Sequence, residues 1–230
     1  MMRRILLVTL ALTAAVATAC SSDDPPAGDG NLPDGTELLR DAAASMADVG
    51  SAHFALKVNG ELPELSVKSA EGDLTREGGS GGAAKGTVAM DLMGNLFEGE
   101  FVLVDDSLYI KGPTGDYQEL PASMVRSLYD PAAILDPERG VANVMENVTD
   151  ARTEGSEDVA GVSTYRVVGR VTKDVVSSLV PGIDSDVDIT FWLRTDDGHQ
   201  PVKATVKVEQ GSVDVVLSDI NKQVDITAPQ

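Results

Sequence analysis

The spacing of apolar residues changes period several times along this chain, and each change marks an element. In residues 37–49, "ELLRDAAASMADV", Leu38, Leu39, Ala42, Met46 and Val49 fall on one helical face. Thr36 is the expected N-cap and Gly50 the expected stop. The period then drops to two. Ala52, Phe54, Leu56 and Val58 alternate with polar residues in "SAHFALKVNG", and Val88, Met90 and Leu92 share a face in "GTVAMDLMG". "NLFEGEFVLVDD" is apolar on both faces, with Phe97, Phe101 and Leu103 on one and Leu96, Val102 and Val104 on the other. Further strand-length runs are "DSLYIKG", "STYRVVGRVT", "VDITFWLRTDDG", "PVKATVKVEQ" and "SVDVVLSDI", with a hairpin corner at Asp196-Asp197-Gly198. Between the two sets of strands, residues 121–148 return to helical spacing through Met124, Val125, Leu128, Ile134, Leu135, Val141, Val144 and Met145, interrupted by Pro131 and Pro137. A short helix is expected at residues 173–180. Long antiparallel strands with helices to one side make an α+β fold, and such a sheet can curl around its helices.

The first residues follow a different rule. Ile5–Ala19 is an apolar or small run of 15 residues, behind Arg3 and Arg4 and ahead of Ala17-Thr18-Ala19-Cys20. A bilayer-spanning helix needs about 20 residues. A charged start, a short apolar centre and a small-residue exit describe a signal peptide instead, over residues 1–19. The small-small-Cys ending resembles the lipobox of bacterial lipoproteins, where cleavage precedes an acylated cysteine; Ala17 departs from the usual Leu, Ile or Val. The competing reading is ordinary secretion with a free thiol at Cys20. Residues 20–35 then form the lipidated cysteine and a Ser, Asp, Pro and Gly tether, and residues 36–230 a single domain. The anchor would be an N-acyl, S-diacylglycerol cysteine on the extracytoplasmic face of the cell membrane.

Charge and cysteine count narrow the function. The chain carries 18 basic and 37 acidic residues, a net charge of −19. Cleavage after Ala19 removes Arg3 and Arg4 and no acid, leaving −21. That field repels nucleic acid and anionic bilayers, so membrane contact is expected to rest on the lipid anchor. Cys20 is the only cysteine, so the mature domain has no disulfide, no thiolate nucleophile and no cysteine-based zinc site. No metal or other cofactor is expected. Gly78-Gly79-Ser80-Gly81-Gly82 matches G-x-S-x-G, but lies in a glycine-rich stretch with no helix to follow and reads as a loop. His53 sits on the polar side of a strand and His199 in a hairpin turn, with no paired catalytic motif. "DSDVDI", residues 184–189, clusters carboxylates, yet Ile189 stands where a calcium loop needs glycine. The chain is therefore read as a non-enzyme.

Residues 129–155, "YDPAAILDPERGVANVMENVTDARTEG", resemble the central segment of the LppX/LprAFG family of mycobacterial and other actinobacterial cell-envelope lipoproteins. So do "SAHFALKVNGELPELSVKSAEGDLT", "DDSLYIK" and "VDVVLSDINKQVDITAP". The resemblance runs from about Leu32 to Pro229 and lies nearest the LprG-like branch; the glycine-rich stretch at residues 76–86 departs from the pattern. It implies a half-barrel of antiparallel strands packed on helices around a large apolar cavity, similar to the lipoprotein-carrier folds of Gram-negative periplasms. It further implies a monomer that binds multiply acylated lipids, such as glycolipids, phospholipids and triacylglycerol. Such a carrier moves them across the envelope with a transporter of the major facilitator class.

The residues themselves agree in part. The apolar supply is aliphatic and methionine-containing, and aromatics are only 4%. Such a lining suits acyl tails better than sugar rings. Sequence does not separate a lined cavity from a filled core, so a structural or adaptor lipoprotein that scaffolds a transporter is the competing reading, with an envelope lipid hydrolase behind it. Candidate lining residues are Val88, Met90 and Leu92, then either Leu96, Val102 and Val104 or Phe97, Phe101 and Leu103. Phe54, Leu56, Ile134, Leu135, Val144, Met145, Val187, Ile189, Phe191 and Val206 complete the set. A head group is expected outside the cavity, near Lys57, Lys68 or Arg76. If Cys20 is the anchor, Cys20→Ser releases the protein from the membrane fraction into the medium, and wild type carries a mass increment of the attached lipids; wild-type protein found unacylated in the medium contradicts the anchor.

Overall fold

The computed structural model of the chain describes residues 32–229, apart from 63–64, 79–80, 93, 122, 124–130, 181 and 197. The expected signal peptide, Cys20 and the tether up to Asn31 lie outside the described residues, as do Met124, Val125 and Leu128. Residues 31–230 form one compact unit that contains the whole described core.

Eleven strands make one sheet. They are β1 (Ser51–Gly60), β2 (Val67–Thr75), β3 (Ala83–Leu92), β4 (Asn95–Val104), β5 (Ser107–Lys111), β6 (Gln118–Pro121), β7 (Thr149–Val159), β8 (Val162–Val171), β9 (Val187–Arg194), β10 (Pro201–Val208) and β11 (Gly211–Ser218). Their order is β6-β5-β4-β3-β2-β1-β11-β10-β9-β8-β7, with every pair antiparallel. The chain meanders outward from β1 to one edge at β6, re-enters at the opposite edge with β7, and meanders back until β11 pairs with β1. The sheet is curved and unclosed. The link between its edges carries a 3₁₀ turn (Pro131–Leu135) and helix α2 (Val141–Glu146), while α1 (Gly35–Ala47) precedes β1 and α3 (Lys173–Val176) precedes β9.

Tight turns follow the sequence. Asp105 and Asp106 both take positive φ, 50° and 64°, at the β4–β5 corner, the geometry a two-residue hairpin needs and one that aspartate tolerates. Three strands carry no alternation to read. β2 presents Ala70, Gly72 and Leu74 inward, too small a set to stand out, and β6 has only four residues. β7, "TDARTEGSEDV", is an edge strand without a buried residue.

α1 buries Leu38, Leu39, Ala42, Ala43 and Met46. Its N-cap is Asp34 rather than Thr36. The Asp34 carboxylate accepts from the backbone N–H of Thr36 (2.9 Å) and Glu37 (3.0 Å), two of the donors that a helix start leaves unpaired. The other end is held by Arg76, at the start of the β2–β3 loop. Its guanidinium donates to the carbonyls of Ala47 (2.6 Å) and Met46 (3.3 Å), and from Nε to the carbonyl of Leu135 (2.9 Å). One cation thus ties the C-terminus of α1 and the 3₁₀ turn to the sheet. Arg76 is therefore withdrawn from the residues expected near a lipid head group, since its donors face backbone. Lys57 remains exposed on the outer face of β1.

The C-terminal segment straps one end of the outer face. Asn221 accepts from Gly50 N–H (2.7 Å) and donates its own N–H to the Ser51 carbonyl (2.8 Å), while Ser51 Oγ donates to the Lys222 carbonyl (2.6 Å). Ile226 then packs on Ala83 and Val104. Charge-assisted hydrogen bonds contribute about 1.5–3 kcal/mol each at best, so Arg76→Met is expected to cost about 2–4 kcal/mol of unfolding free energy in total. A urea midpoint within error of wild type would show that the three carbonyls are equally well served by water.

Candidate functional site

Alternation sorts the sheet into two faces, and pairing register joins the inward residues into rows. One row runs Val167, Phe191, Ala204, Val215, Leu56, Ala70, Val88 and Gly99, from β8 to β4. It crosses eight strands without a polar side chain. At about 4.8 Å per strand it is roughly 34 Å long. The row above runs Leu217, Phe54, Gly72, Gly86, Phe101 and Ile110.

The two halves of this face differ in relief. On β8 and β9, Val167, Val171, Ile189, Phe191 and Leu193 are large and buried, and α1 lies against β7 and β8. On β2–β4 the floor is Ala70, Gly72, Ala84, Gly86 and Gly99, with Phe54 and Phe101 on either side. Gly72 and Gly86 face each other across the β2–β3 pair. A Cβ on either would lie 2.0 Å from the neighbouring strand's carbonyl oxygen, so both positions require glycine. Glycine kinks with flanking aromatics are how a sheet bends inward. Val88 stands in this small-residue floor, between Ala70 and Gly99.

The sequence left open which side of the 95–104 strand faces in. Met90 pairs with Phe97, Gly86 with Phe101 and Ala84 with Leu103, which puts Phe97, Phe101 and Leu103 on the inward side with Val88. Leu96, Val102 and Val104 face out: Leu96 is 66% exposed, and Val104 is buried under Ile226. Leu92 shares the inward side of β3 with Val88 and Met90, but at the end of the strand it is 47% exposed and lines no covered surface. Phe54, Leu56, Val88, Phe101, Leu103, Ile134, Leu135, Val144, Met145, Val187, Ile189, Phe191 and Val206 are buried in one cluster, with Met90 half-buried against it.

At the end of the sheet where β1 passes into β2, a concavity of about 300 Å³ opens between Leu62, Leu65, Ile183 and Val208, with Asp184, Glu209 and Gln210 at its rim. The four apolar residues belong to the core cluster or pack on it. Sequence reading missed Leu62, Leu65 and Ile183 because they lie in loops, where no period flags them, whereas Val208 continues the alternation of Val206 to the end of β10. It missed the floor because glycine and alanine look like weak strand residues. His53 is bound to Asp73 (2.9 Å) on the outer face, and His199 Nδ1 lies 2.9 Å from the Arg194 carbonyl. Among the described residues, the polar partners of the two rings are carboxylates and a backbone carbonyl.

An open antiparallel sheet, apolar on one side and covered there by a few short helices, defines a half-barrel binding fold. The chain belongs to the LppX_LprAFG lipoprotein family, whose profile matches residues 34–226. Relatives include the "Lipoarabinomannan carrier protein LprG" of Mycobacterium bovis BCG Pasteur, 35% identical over 232 residues, covering 99% of this chain and 95% of that protein. The protein of the same name from Mycolicibacterium smegmatis is 36% identical over 231 residues, covering 97% and 94%. The crystal structure of LprF from Mycobacterium bovis superimposes with a TM-score of 0.77 at 27% identity, over 85% of this chain and 96% of that one. LppX from Mycobacterium tuberculosis shares the fold, with a TM-score of 0.65 at 22% identity over 84% and 97%.

The cover of the inward face contains one acid-sensitive joint. Between the 3₁₀ turn and α2, the Asp136 carboxylate accepts from the N–H of Glu138 (2.8 Å) and Arg139 (3.1 Å) and from the Arg139 guanidinium (2.7 and 3.0 Å). Partial burial pushes the Asp136 carboxyl up, but these bonds outweigh it and hold it below its ordinary value. A depressed folded-state value means the contribution is full above the unfolded carboxyl value of about 3.9 and is lost as pH falls below it. Asp136→Asn is expected to be less stable than wild type at pH 7 in urea unfolding, and the difference should shrink as pH drops below about 4. A pH-independent difference would place the effect elsewhere.

Proposed function

We propose that this protein is a membrane-anchored carrier that shields the acyl chains of envelope lipids against its inward face and hands them on across the aqueous envelope. The observation that carries this reading is the unbroken apolar row over eight strands, with a floor of small residues beneath it. Acyl chains cost about 0.8 kcal/mol per exposed CH₂, so a 16-carbon chain costs roughly 13 kcal/mol in water. A row of roughly 34 Å is long enough to lay such a chain flat. The relatives' name, lipoarabinomannan carrier, supports a multiply acylated glycolipid as cargo, with phospholipid or triacylglycerol as further candidates of the same chemistry. A major-facilitator transporter is the proposed partner that delivers or receives it. No chemistry on the cargo is proposed.

Among the described residues, the concavity that opens at the end of the sheet holds about 300 Å³. That is the volume of a small ligand and well below the ~1,000 Å³ at the upper end of ordinary pockets. A concavity of this size does not hold two acyl chains, and we propose that loading of two or more widens the mouth between Leu62, Leu65, Ile183 and Val208. Val88 is the largest side chain in the small-residue floor between Ala70 and Gly99, and we place the acyl chain against it.

Filling that space tests the reading. Val88→Trp is expected to keep the fold by circular dichroism, at a cost of about 1–3 kcal/mol from overpacking, and to lose most of the acyl lipid that mass spectrometry detects in extracts of the purified protein. Unchanged loading would move the site away from Val88. Wild-type protein without extractable lipid, after purification from its own envelope, would favour the adaptor reading instead.

A further inference from the structure

The described residues expose two large hydrophobic side chains, and both stand on one hairpin. Leu92 is 47% exposed at the end of β3, and Leu96 is 66% exposed at the start of β4. Gly94 makes the turn between them with φ 82°, and a side chain built on it would meet nothing within 4 Å. The turn therefore projects into open space. Leu92 lies on the inward side of the hairpin and Leu96 on the outward side, so the tip is apolar on both faces and packing against one side of the protein cannot cover it. Scattered exposed leucines are ordinary; a paired, two-sided apolar tip marks a contact surface.

The position of the tip selects its occupant. Val67 at the start of β2 pairs with Met90, and Asp91 N–H donates to the Ser66 carbonyl (2.7 Å). The tip thus lies at the end of the sheet where Leu62 and Leu65 border the mouth. The described chain begins at Leu32, and the Pro33 carbonyl is bound by Thr153 Oγ1 (2.7 Å). Twelve residues separate it from the proposed anchor at Cys20, a reach of about 40 Å, which allows this end to meet the membrane. No Lys or Arg lies between Gly86 and Phe101. The first charges behind the tip are acids, Asp91 and Glu98, and the Asp91 carboxylate closes the turn by accepting from Gly94 N–H (2.6 Å).

We infer that the β3–β4 tip is a membrane-docking finger: Leu92 and Leu96 insert into the surface of a lipid bilayer and bring the mouth against it. Insertion is shallow, limited by Asp91 and Glu98, and is driven by apolar burial rather than by charge. The inference rests on the carrier reading for its purpose, and adds a second membrane contact to the anchor.

The test uses residues 21–230, which contain the compact unit and no cysteine. A nitrobenzoxadiazole label is placed on Leu96→Cys at the tip and on Glu77→Cys at the other end of the sheet. With phosphatidylcholine vesicles, the label at position 96 is expected to shift to the blue and the label at 77 to stay unchanged. Leu92→Ser with Leu96→Ser is expected to lower vesicle partitioning in flotation by about tenfold or more, with an unchanged urea midpoint. No shift at 96, equal shifts at both sites, or a shift that requires phosphatidylglycerol would overturn the proposal. A shift produced by a membrane protein in detergent but not by vesicles would assign the tip to a protein partner and equally overturn it. Vesicle docking is read without cargo, so its failure is distinct from a failure of Val88→Trp to change lipid loading.

Discussion

An open sheet of eleven strands with one apolar face must be covered on that face, and the described residues offer little helix with which to do it. The covering elements are α1, a 3₁₀ turn, α2 and α3, of 13, five, six and four residues. Helices this short do not persist by themselves. Their order depends on the face they cover and on a few polar joints that tie them to it. Arg76 is the main joint, since it serves carbonyls of α1 and of the 3₁₀ turn from a position at the end of β2. Asp136 then fixes the step from the turn into α2, where the Gly140 N–H also returns to the Asp136 carbonyl (2.7 Å). A cover of short pieces held by discrete hydrogen bonds can be displaced in parts. A single long helix packed along its whole length could not.

The opposite face solves a different problem. It must stay in water, and a broad sheet in water invites association. Its residues form cross-strand polar pairs: His53 with Asp73 and Glu71, Lys203 with Asp214 and over the Trp192 ring, and Trp192 Nε1 with Glu157. Exposed pairs of this kind add little stability. Their value is in marking which face is out, and in refusing a second sheet. The edges are blunted in the same spirit. β6 is four residues long, and β7 is polar with two register shifts, both unattractive templates for another strand. A net charge of −19 adds long-range repulsion between copies.

How far the sequence foretold this depended on side-chain size. Strands with large residues at every second position, such as β1, β9 and β11, were legible at once, as were the Asp-Asp turn and α1. β2 was not, although it lies next to the centre of the sheet, because Ala70 and Gly72 give alternation nothing to register. β7 was not, because neither of its faces is buried. Register was the second limit. β4 is apolar on both sides, and only its pairing with Met90, Gly86 and Ala84 separates Phe97, Phe101 and Leu103 from Leu96, Val102 and Val104. Burial of Val104 comes from Ile226, more than a hundred residues away in the chain. The mouth was the third limit, since Leu62, Leu65 and Ile183 sit in loops.

These limits coincide with the places where function is proposed, and the coincidence has a physical cause. A core built for stability fills its floor with branched side chains and reads clearly as a pattern. Glycine inside a strand weakens it and packs nothing, so Gly72, Gly86 and Gly99 on one small area of the inward face represent stability forgone. Exposed leucines at a turn are likewise a departure from what keeps a protein soluble. Local rules tend to be broken where a protein meets its ligand. Here the breaks fall in two places, a floor of small residues inside and a tip that leaves apolar surface outside. Met90 lies between them on β3, inward and half-buried. A single strand therefore runs from the exposed tip at Leu92 to the floor at Val88, and a chain entering beside the tip would reach the floor along a continuous apolar track.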